Sequence, residues 1–330
     1  MIGVLLVGAG IMGRVHASYY RKDQRTTIVG VVDVEEERGR ALSDEFSVPY
    51  YNDLTSALRD GAKADVVDIC VPTVYHYDLI LQALESGKHV IVEKPLTRTL
   101  KEAEEVIARA KRLDRKLLVG HVVRFFPEYR KARDLIAQGA IGEVKVAHVS
   151  RVGPFPKAWR NWYADYMISG GVVLDLMIHD IDFLLWTFGD VVRIYAKGLY
   201  GREYAQLDYA LVTFRFQNGV IAHLEGSWAH ETFRTRFDIS GTDGVIAYDS
   251  TRDTSLVWER RPASAAAQAG VVVPESPLMA TPYERELKSF IDSLSDSTAV
   301  PAIRPEDAYE ALRLSILTLE ALRSGDVVEV

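Results

Sequence analysis

The sequence predicts an α/β protein of two domains: an N-terminal doubly wound parallel sheet and a second domain built on an antiparallel sheet. Short β-rich segments alternate with helical patterns up to about residue 120, the order expected of a parallel sheet covered by helices on both faces. After about residue 121, strands follow one another through hairpin turns. The chain has 330 residues, which suits two domains at roughly 150 residues each. We therefore place the domains at 1–121 and 122–330.

The elements of the first domain follow from this alternation. Apolar segments predict the strands, and the amphipathic segments between them predict the helices. The predicted strands are Ile2–Val7, Thr27–Val32, Val66–Val71, His89–Val92 and Lys116–Val119. The predicted helices are Arg14–Arg21, Glu35–Glu45, Leu54–Asp60, Tyr77–Ser86 and Leu100–Arg112.

Two hairpin signals define the second domain. Asn218-Gly219 and Asp243-Gly244 each separate two β-rich segments, and these pairs favour the positive φ angles that tight hairpin turns need. The predicted strands are Gly142–Arg151, Leu211–Phe216, Val220–Glu225, Arg236–Ser240 and Val245–Asp249. The predicted helices are Glu128–Gln138, Gly170–Phe188, Tyr283–Leu294 and Glu306–Ser324. Pro262–Pro277 is interpreted as a surface loop or linker, with a short helix as the alternative for its alanines.

Charge and cysteine content exclude several classes of protein. The chain has 46 acidic and 39 basic residues, a formal charge of −7, and no basic cluster, which argues against nucleic acid or an anionic membrane as partner. The single cysteine, Cys70, excludes a disulfide framework and a cysteine-based metal site within one chain. The N-terminus lacks the basic segment of a signal peptide, and no apolar run reaches the ~18 residues of a membrane span. We therefore expect a cytoplasmic protein.

A glycine-rich turn follows the first predicted strand. Gly8 permits a tight turn, Gly10 lets the backbone approach a pyrophosphate, and Gly13 lets the next helix pack closely. The helix N-terminus attracts phosphate. Asp33 ends the second strand at the spacing expected of an acid that binds the adenosine ribose of NAD, and it would repel the 2′-phosphate of NADP, with no base before Arg38. The alternative is a glycine-rich turn with a helix-capping aspartate.

Ligands of an open parallel sheet bind beyond the carboxyl ends of its strands. The third and fourth strands end in Val71-Pro72-Thr73 and Glu93-Lys94. A lysine at a strand end, just before a proline, favours a role in the site over a solvated surface charge. The predicted NAD-binding residues are Gly8, Gly10, Ile11, Met12, Gly13, Asp33, Val71, Pro72, Thr73, His76, Glu93 and Lys94.

The predicted helix Gly170–Phe188 carries acidic and histidine residues in an otherwise apolar sequence. At 100° per residue, Asp175, His179 and Asp182 fall on one narrow face. A helix that is apolar nearly all round is buried, and burying such groups is costly unless they pair or function. Asp175 can orient the His179 ring, whereas Asp180 points elsewhere and is interpreted as structural. The alternative is a satisfied polar pair within a core.

Three motifs together carry a family resemblance: the Gly8–Gly13 turn, Glu93-Lys94-Pro95, and Gly-Gly-x-x-x-Asp175-x-x-x-His179-Asp180. They resemble the Gfo/Idh/MocA oxidoreductases over essentially the whole chain. The resemblance implies an N-terminal Rossmann domain and a C-terminal α/β domain with a large, open, mostly antiparallel sheet. That sheet would join a homodimer or homotetramer. The resemblance also implies Lys94, Asp175 and His179 as catalytic residues and a cis Lys94–Pro95 bond. We expect no metal, because the chemistry requires none and the sequence shows no cluster of histidines and cysteines.

The expected activity is reversible, NAD-dependent oxidation of a secondary alcohol on a cyclic polyol or sugar. Arg151–Gly171 resembles inositol dehydrogenases and related sugar dehydrogenases, whereas Arg151–Pro156 also resembles sugar-nucleotide 3-dehydrogenases. Two further functions stay open: a glycosidase that retains NAD, and a non-redox sensor of NAD. The candidate substrate-binding residues are Arg124, Trp159, Arg160, Trp162, Tyr163, Asp182 and His230.

Overall fold

A computed structural model describes residues 1–60, 63–199, 208–252, 256–260, 269–272, 280–296 and 298–330. The chain divides into two compact units. The first contains Met1–His121 and Ala280–Leu312, and the second contains Val122–Met279 and Arg313–Val330. The boundary after residue 121 lies where the sequence suggested, but the prediction of 122–330 as one domain did not anticipate that Ala280–Leu312 packs with the first unit.

The first unit has a parallel sheet, as predicted. Its strands are β1 (Ile2–Val7), β2 (Thr26–Val32), β3 (Tyr50–Tyr51), β4 (Val66–Ile69), β5 (His89–Glu93) and β6 (Leu117–Gly120), in the order β3-β2-β1-β4-β5-β6. Its helices up to residue 121 are α1 (Ile11–Lys22), α2 (Glu36–Phe46), α3 (Leu54–Arg59), α4 (His76–Glu85) and α5 (Leu100–Arg112). The strand order reverses between β1 and β4, where doubly wound sheets bind their ligands.

The second unit is built on a mixed, mostly antiparallel sheet. Its strands up to residue 279 are β7 (Val144–Pro154), β8 (Val191–Leu199), β9 (Tyr209–Phe216), β10 (Ile221–Ser227), β11 (Ala229–Gly241), β12 (Gly244–Asp249), β13 (Leu256–Arg260) and β14 (Ala269–Val272). Its helices there are α6 (Pro127–Ala137), α7 (Tyr166–Ser169) and α8 (Ile178–Phe188), with 3-10 turns at Val122–Phe125 and Trp159–Ala164.

The C-terminal segment completes both units with α9 (Pro282–Ser295), α10 (Pro305–Ser324) and β15 (Val328–Glu329). The larger sheet has the order β14-β13-β12-β11-β7-β10-β9-β8-β15. Its β7 and β10 are parallel, and its other neighbours are antiparallel, including both predicted hairpins, β9–β10 and β11–β12.

The structure corrects two expectations about the C-terminal part of the chain. Within Pro262–Pro277, the described residues Ala269–Val272 form a strand that pairs with β13, so the loop interpretation was wrong there; the rest of that prediction lies outside the described residues. Helix α9 belongs to the first unit because its acids pair with α1 and the turn after it. Lys22 Nζ lies 2.5 Å from Glu284 Oε1, and an Arg25 guanidinium nitrogen lies 2.6 Å from Asp292 Oδ1.

The core positions follow the sequence pattern. β4 is buried at every residue, as expected of a parallel strand covered on both faces. In the second unit, inward residues of β7, β10 and β11 such as Val149, Leu224 and Phe237 are buried. No helix among the described residues is long and apolar enough to cross a membrane.

Candidate active site

The glycine turn after β1 has the geometry of a phosphate-binding loop. Gly8 adopts φ +101°, and a Cβ on Gly13 would lie 1.8 Å from the Gly8 carbonyl oxygen. A Cβ on Gly10 would meet nothing within 4 Å. Helix α1 then begins at Ile11 with no side-chain cap on its first amides. Because the close contacts require glycine while the space beside Gly10 is open, the loop fits a pyrophosphate on the helix N-terminus.

Asp33 follows β2, as predicted, and its carboxylate is fully engaged. One oxygen accepts the Ala9 N–H at 2.7 Å and the Arg38 Nε–H at 2.9 Å. The other accepts the Glu35 N–H at 2.8 Å and a second Arg38 nitrogen at 2.6 Å. The sequence alone assigned Arg38 no role in this subsite, but the structure places it on Asp33. Ribose hydroxyls that bind Asp33 would therefore displace Arg38.

The loop after β4 is held from behind by His76. Its ring is fully buried, and Nδ1 and Nε2 each lie 2.9 Å from a backbone carbonyl oxygen, those of Pro95 and Val71. Burial lowers the pKa of His76. The ring thus lies between the two strand-end loops and contacts both of their backbones, while its role in cofactor binding stays a prediction. Of the other predicted residues here, Val71 and Pro72 are half-buried and Thr73 is buried.

Lys94 lies at the carboxyl end of β5. The Lys94–Pro95 peptide bond is cis, which confirms the expectation from the resemblance. The Lys94 backbone N–H donates to Glu93 Oε2 at 3.1 Å, while Glu93 itself is buried. Glu93 therefore orients the backbone from which the half-buried Lys94 side chain extends.

A buried polar cluster, His16, Tyr20, Asp68 and Glu93, was missed by the sequence reasoning. His16 Nδ1 lies 2.8 Å from Asp68 Oδ2, which also accepts the Tyr20 O–H at 2.7 Å. His16 Nε2 lies 3.4 Å from Glu93 Oε1. An aspartate in the middle of the apolar strand β4 was the available signal, because an unpaired carboxylate at such a position is costly.

Burial and neighbouring charges together shift the pKa values of the residues in this cluster. Burial alone would lower the pKa of His16, but the adjacent Asp68 carboxylate raises it well above its ordinary value. Burial alone would raise the pKa of Glu93, but His16 and Lys94 hold it below its ordinary value. Burial raises the pKa of the Cys70 thiol to about 12. The donor atoms of His16, Asp68 and Cys70 lie within 4.8 Å of one another, and their contacts are those of a hydrogen-bonded network.

The predicted helix Gly170–Phe188 is not one regular helix. Gly170 and Gly171 adopt φ +71° and +67°, a left-handed conformation that glycine adopts readily. A π-helical turn follows at Val173–Met177, and α8 begins at Ile178. The prediction of one regular helix over Gly170–Phe188 was therefore wrong, and because a π turn has a wider repeat than an α-helix, the spacing of 100° per residue does not hold across Val173–Met177.

Burial separates the four ionisable residues of this segment. Asp175 and His179 are half-buried, whereas Asp180 and Asp182 are both fully buried. Each of the buried acids faces an arginine side chain. Asp175 and His179 thus keep some accessible surface, whereas Asp180 and Asp182 are fully enclosed.

The two buried acids form paired contacts with arginines. Arg124 donates to both oxygens of Asp182, at 2.8 and 2.6 Å. Arg151 donates to both oxygens of Asp180, at 2.5 and 3.0 Å. Such two-point pairs are strong and directional. Arg124 and Asp182, both predicted to bind substrate, are therefore brought to each other, and the structural interpretation of Asp180 matches its geometry.

The other predicted substrate contacts lie around an irregular loop and on β11. Within Trp159–Ala164, the rings of Trp162 and Tyr163 stack with centroids 3.9 Å apart, and the Arg160 guanidinium lies 4.6 Å from the Trp159 ring centroid. Arg160 is exposed and the three aromatic residues are half-buried. His230 Nδ1 lies 3.0 Å from an Arg234 nitrogen. These residues retain accessible surface, and their contacts with substrate stay predictions.

Comparison with known proteins gives consistent matches over both units. Residues 2–121 match the NAD-binding Rossmann domain of the GFO_IDH_MocA oxidoreductase family, and residues 129–247 match the GFO/IDH/MocA C-terminal domain. The chain is 29% identical to the myo-inositol 2-dehydrogenase of Thermotoga maritima, over 100% of this chain and 99% of that protein. It is 30% identical to the D-glucoside 3-dehydrogenase of Escherichia coli, over 68% of this chain and 70% of that protein.

A solved structure shares the whole fold. GenD2 from gentamicin A biosynthesis, in complex with NAD, superposes with a TM-score of 0.87 at 24% identity, covering 100% of this chain and 96% of that one. The cofactor of the Rossmann domain is NAD, and the open space beside Gly10 lies at the start of helix α1. The chain is therefore a member of the GFO/IDH/MocA family of NAD-dependent oxidoreductases.

Proposed function

We propose that the chain reversibly oxidises a secondary alcohol of a cyclic polyol or sugar, in the manner of an inositol dehydrogenase. The observation that carries the proposal is the division of the Val173–Phe188 segment, in which Asp180 and Asp182 are buried against arginines while Asp175 and His179 stay partly accessible. The likeness to a myo-inositol 2-dehydrogenase over the full length supports the substrate class.

In this proposal, Lys94, Asp175 and His179 act on one substrate hydroxyl. His179 accepts the hydroxyl proton, because an imidazole exchanges protons near neutral pH. Asp175 orients the imidazole and stabilises the charge that it gains. The Lys94 ammonium donates a hydrogen bond to the same oxygen and stabilises the negative charge that develops there. NAD supplies the hydride acceptor when bound.

Substrate hydroxyls would contact the half-buried Trp159, Trp162 and Tyr163, the exposed Arg160, and His230. Arg124 and Asp182 would act by fixing α8 instead, since each occupies the other in a buried pair. The likeness to a D-glucoside 3-dehydrogenase keeps oxidation of a sugar or sugar nucleotide at C3 as the second candidate. The Arg151 side chain does not favour a nucleotide substrate, because it is buried against Asp180.

The test is NADH formation by the purified protein with NAD and a panel of inositols, aldoses, glucosides and sugar nucleotides. We expect turnover with one polyol or sugar. Lys94→Ala and His179→Ala are each expected to lower kcat about 10²- to 10⁴-fold, as for loss of a general acid or base. Turnover that survives both substitutions would contradict the roles assigned to these residues. Lys101→Ala, at an exposed position of α5, is the matched control.

We also propose that the larger sheet joins two or four copies of the chain. Residues on the side of the sheet opposite its core, such as Tyr195 and Leu211, are more than 40% exposed, and large apolar side chains on an exposed sheet favour association. Light scattering coupled to size exclusion should give a dimer or tetramer. A monomer at micromolar concentration would contradict this assembly.

A further inference from the structure

His16 lies on α1, one turn beyond the glycine loop, and bridges two buried carboxylates. Nδ1 lies 2.8 Å from Asp68 Oδ2, and Nε2 lies 3.4 Å from Glu93 Oε1. The His16 side chain is 1% exposed, and Asp68 is fully buried. No step of the proposed chemistry uses this histidine.

The contacts with Asp68 and Glu93 favour a positively charged His16 ring. A neutral imidazole has one N–H, so it donates to only one carboxylate and turns a lone pair toward the other. An imidazolium donates from Nδ1 to Asp68 and places its positive charge 3.4 Å from the Glu93 carboxylate, at ion-pair distance. A buried cation is tolerated when it is paired, and here one cation lies between two anions. The pKa of His16, raised by Asp68 despite burial, agrees with this geometry.

Glu93 connects this cation to the backbone of Lys94. Oε1 of Glu93 faces His16, and Oε2 accepts the Lys94 N–H at 3.1 Å. Gly120 of the adjacent strand β6 lies beside this carboxyl group, where a Cβ would be in ordinary contact at 3.4 Å. A Glu93 side chain without the cation would rotate or take up a proton, and either change weakens its hold on the Lys94 amide.

We propose that His16 is a positioning residue that acts through Glu93: it holds the Glu93 carboxylate in the orientation that fixes the Lys94 backbone, and hence the origin of the Lys94 side chain. The inference rests on the role proposed for Lys94. Small errors in placing a reacting group are costly, with a 1 Å displacement worth about 100-fold in rate. His16 should therefore affect turnover without any contact with substrate.

The experiment compares His16→Gln, Glu93→Gln and the double variant in the full-length enzyme, with Tyr20→Phe as control. Tyr20 lies on the same helix and donates to the same Asp68 oxygen, so its substitution removes one hydrogen bond of the cluster and leaves both His16 contacts in place. We measure kcat and KM with the substrate found in the panel, NADH affinity by fluorescence titration, and the melting temperature.

We expect His16→Gln and Glu93→Gln each to lower kcat about tenfold or more, with the Kd for NADH within about twofold of the unsubstituted chain. The double variant should lose no more than the worse single variant, because residues that act through one another are non-additive. Tyr20→Phe should lower the melting temperature and keep kcat within about twofold.

Three results would overturn the inference: additive losses in the double variant, a rise in the Kd for NADH that matches the fall in kcat, or a kcat for Glu93→Gln equal to that of the unsubstituted chain. If His16→Gln does not fold, the kcat of Glu93→Gln tests the inference by itself. Lys94→Ala separates this inference from the proposed function. Full activity of Lys94→Ala removes the proposed function, whereas an inactive Lys94→Ala with a fully active His16→Gln removes only the inference.

Discussion

Two helical segments of this chain begin after glycines, and they use glycine for different purposes. Before α1, Gly8 and Gly13 make room for backbone contacts that a Cβ would block, and the helix then runs regularly from Ile11. Before α8, Gly170 and Gly171 supply two successive left-handed residues, and a π turn follows. The comparison shows that the spacing of 100° per residue predicts shared helix faces only where the helix is regular. His16 and Tyr20, four residues apart on α1, both reach Asp68, whereas Asp175 and Asp182, on either side of the π turn's end, differ in burial.

The largest expected effect is on stability, and it tests whether Asp180 is structural while Asp175 is catalytic. Asp180→Ala leaves Arg151 buried without its carboxylate, so we expect the free energy of unfolding to fall by about 3–5 kcal/mol. Asp175→Ala, at a half-buried position, should cost about 1 kcal/mol or less in stability while lowering kcat. Urea denaturation and steady-state kinetics of both variants give the answer. Equal stability losses would erase the distinction between the two acids.

The next effect tests the first segment by comparing two alanine substitutions. Gly10→Ala adds a methyl group where the protein leaves open space, so the melting temperature should hold while the Kd for NADH rises about tenfold or more, or about 1.4 kcal/mol. Gly13→Ala should lower both the melting temperature and the affinity, because its methyl group meets the Gly8 carbonyl. Unchanged NADH binding by Gly10→Ala would show that the open space is not where the pyrophosphate lies.

The smallest effect concerns the end of β2. The Asp33 carboxylate holds Arg38 and would repel a 2′-phosphate. Asp33→Asn removes this negative charge and leaves the Arg38 guanidinium beside the position of the ribose. We expect weaker NADH binding and tighter NADPH binding, with a change of up to about tenfold in their Kd ratio. Adding Arg38→Gln should abolish the gain for NADPH. A ratio that Asp33→Asn leaves unchanged would argue against a role for this pair in cofactor choice.

The features that were predicted correctly from the sequence are those determined by residues close together in the chain. The parallel sheet followed from alternating strand and helix patterns, and the glycine loop from three glycines between β1 and α1. The position of Asp33 followed from its spacing. These features depend on a few neighbouring residues and on backbone geometry, so one sequence suffices to recognise them.

The parts that were missed depend on distant partners or on irregular backbone. His16 and Asp68 are 52 residues apart in the chain, and only the fold brings them together. Arg124 and Asp182 each looked suited to bind substrate, because a sequence does not show that two opposite charges are buried against each other. The π turn at Val173–Met177 also left no recognisable pattern, since the apolar residues around Asp175 are those of an ordinary buried helix.

The return of Ala280–Leu312 to the first unit has a consequence for synthesis on the ribosome. Lys22 and Arg25 pair with Glu284 and Asp292 of α9, so α1 emerges long before its partner. The roughly 160 residues that separate the end of β6 from α9 take about 10–30 s to translate at about 5–20 residues per second. During that interval α1 and the turn after it lack their ion pairs with α9. A fragment that ends at residue 121 would never form these contacts.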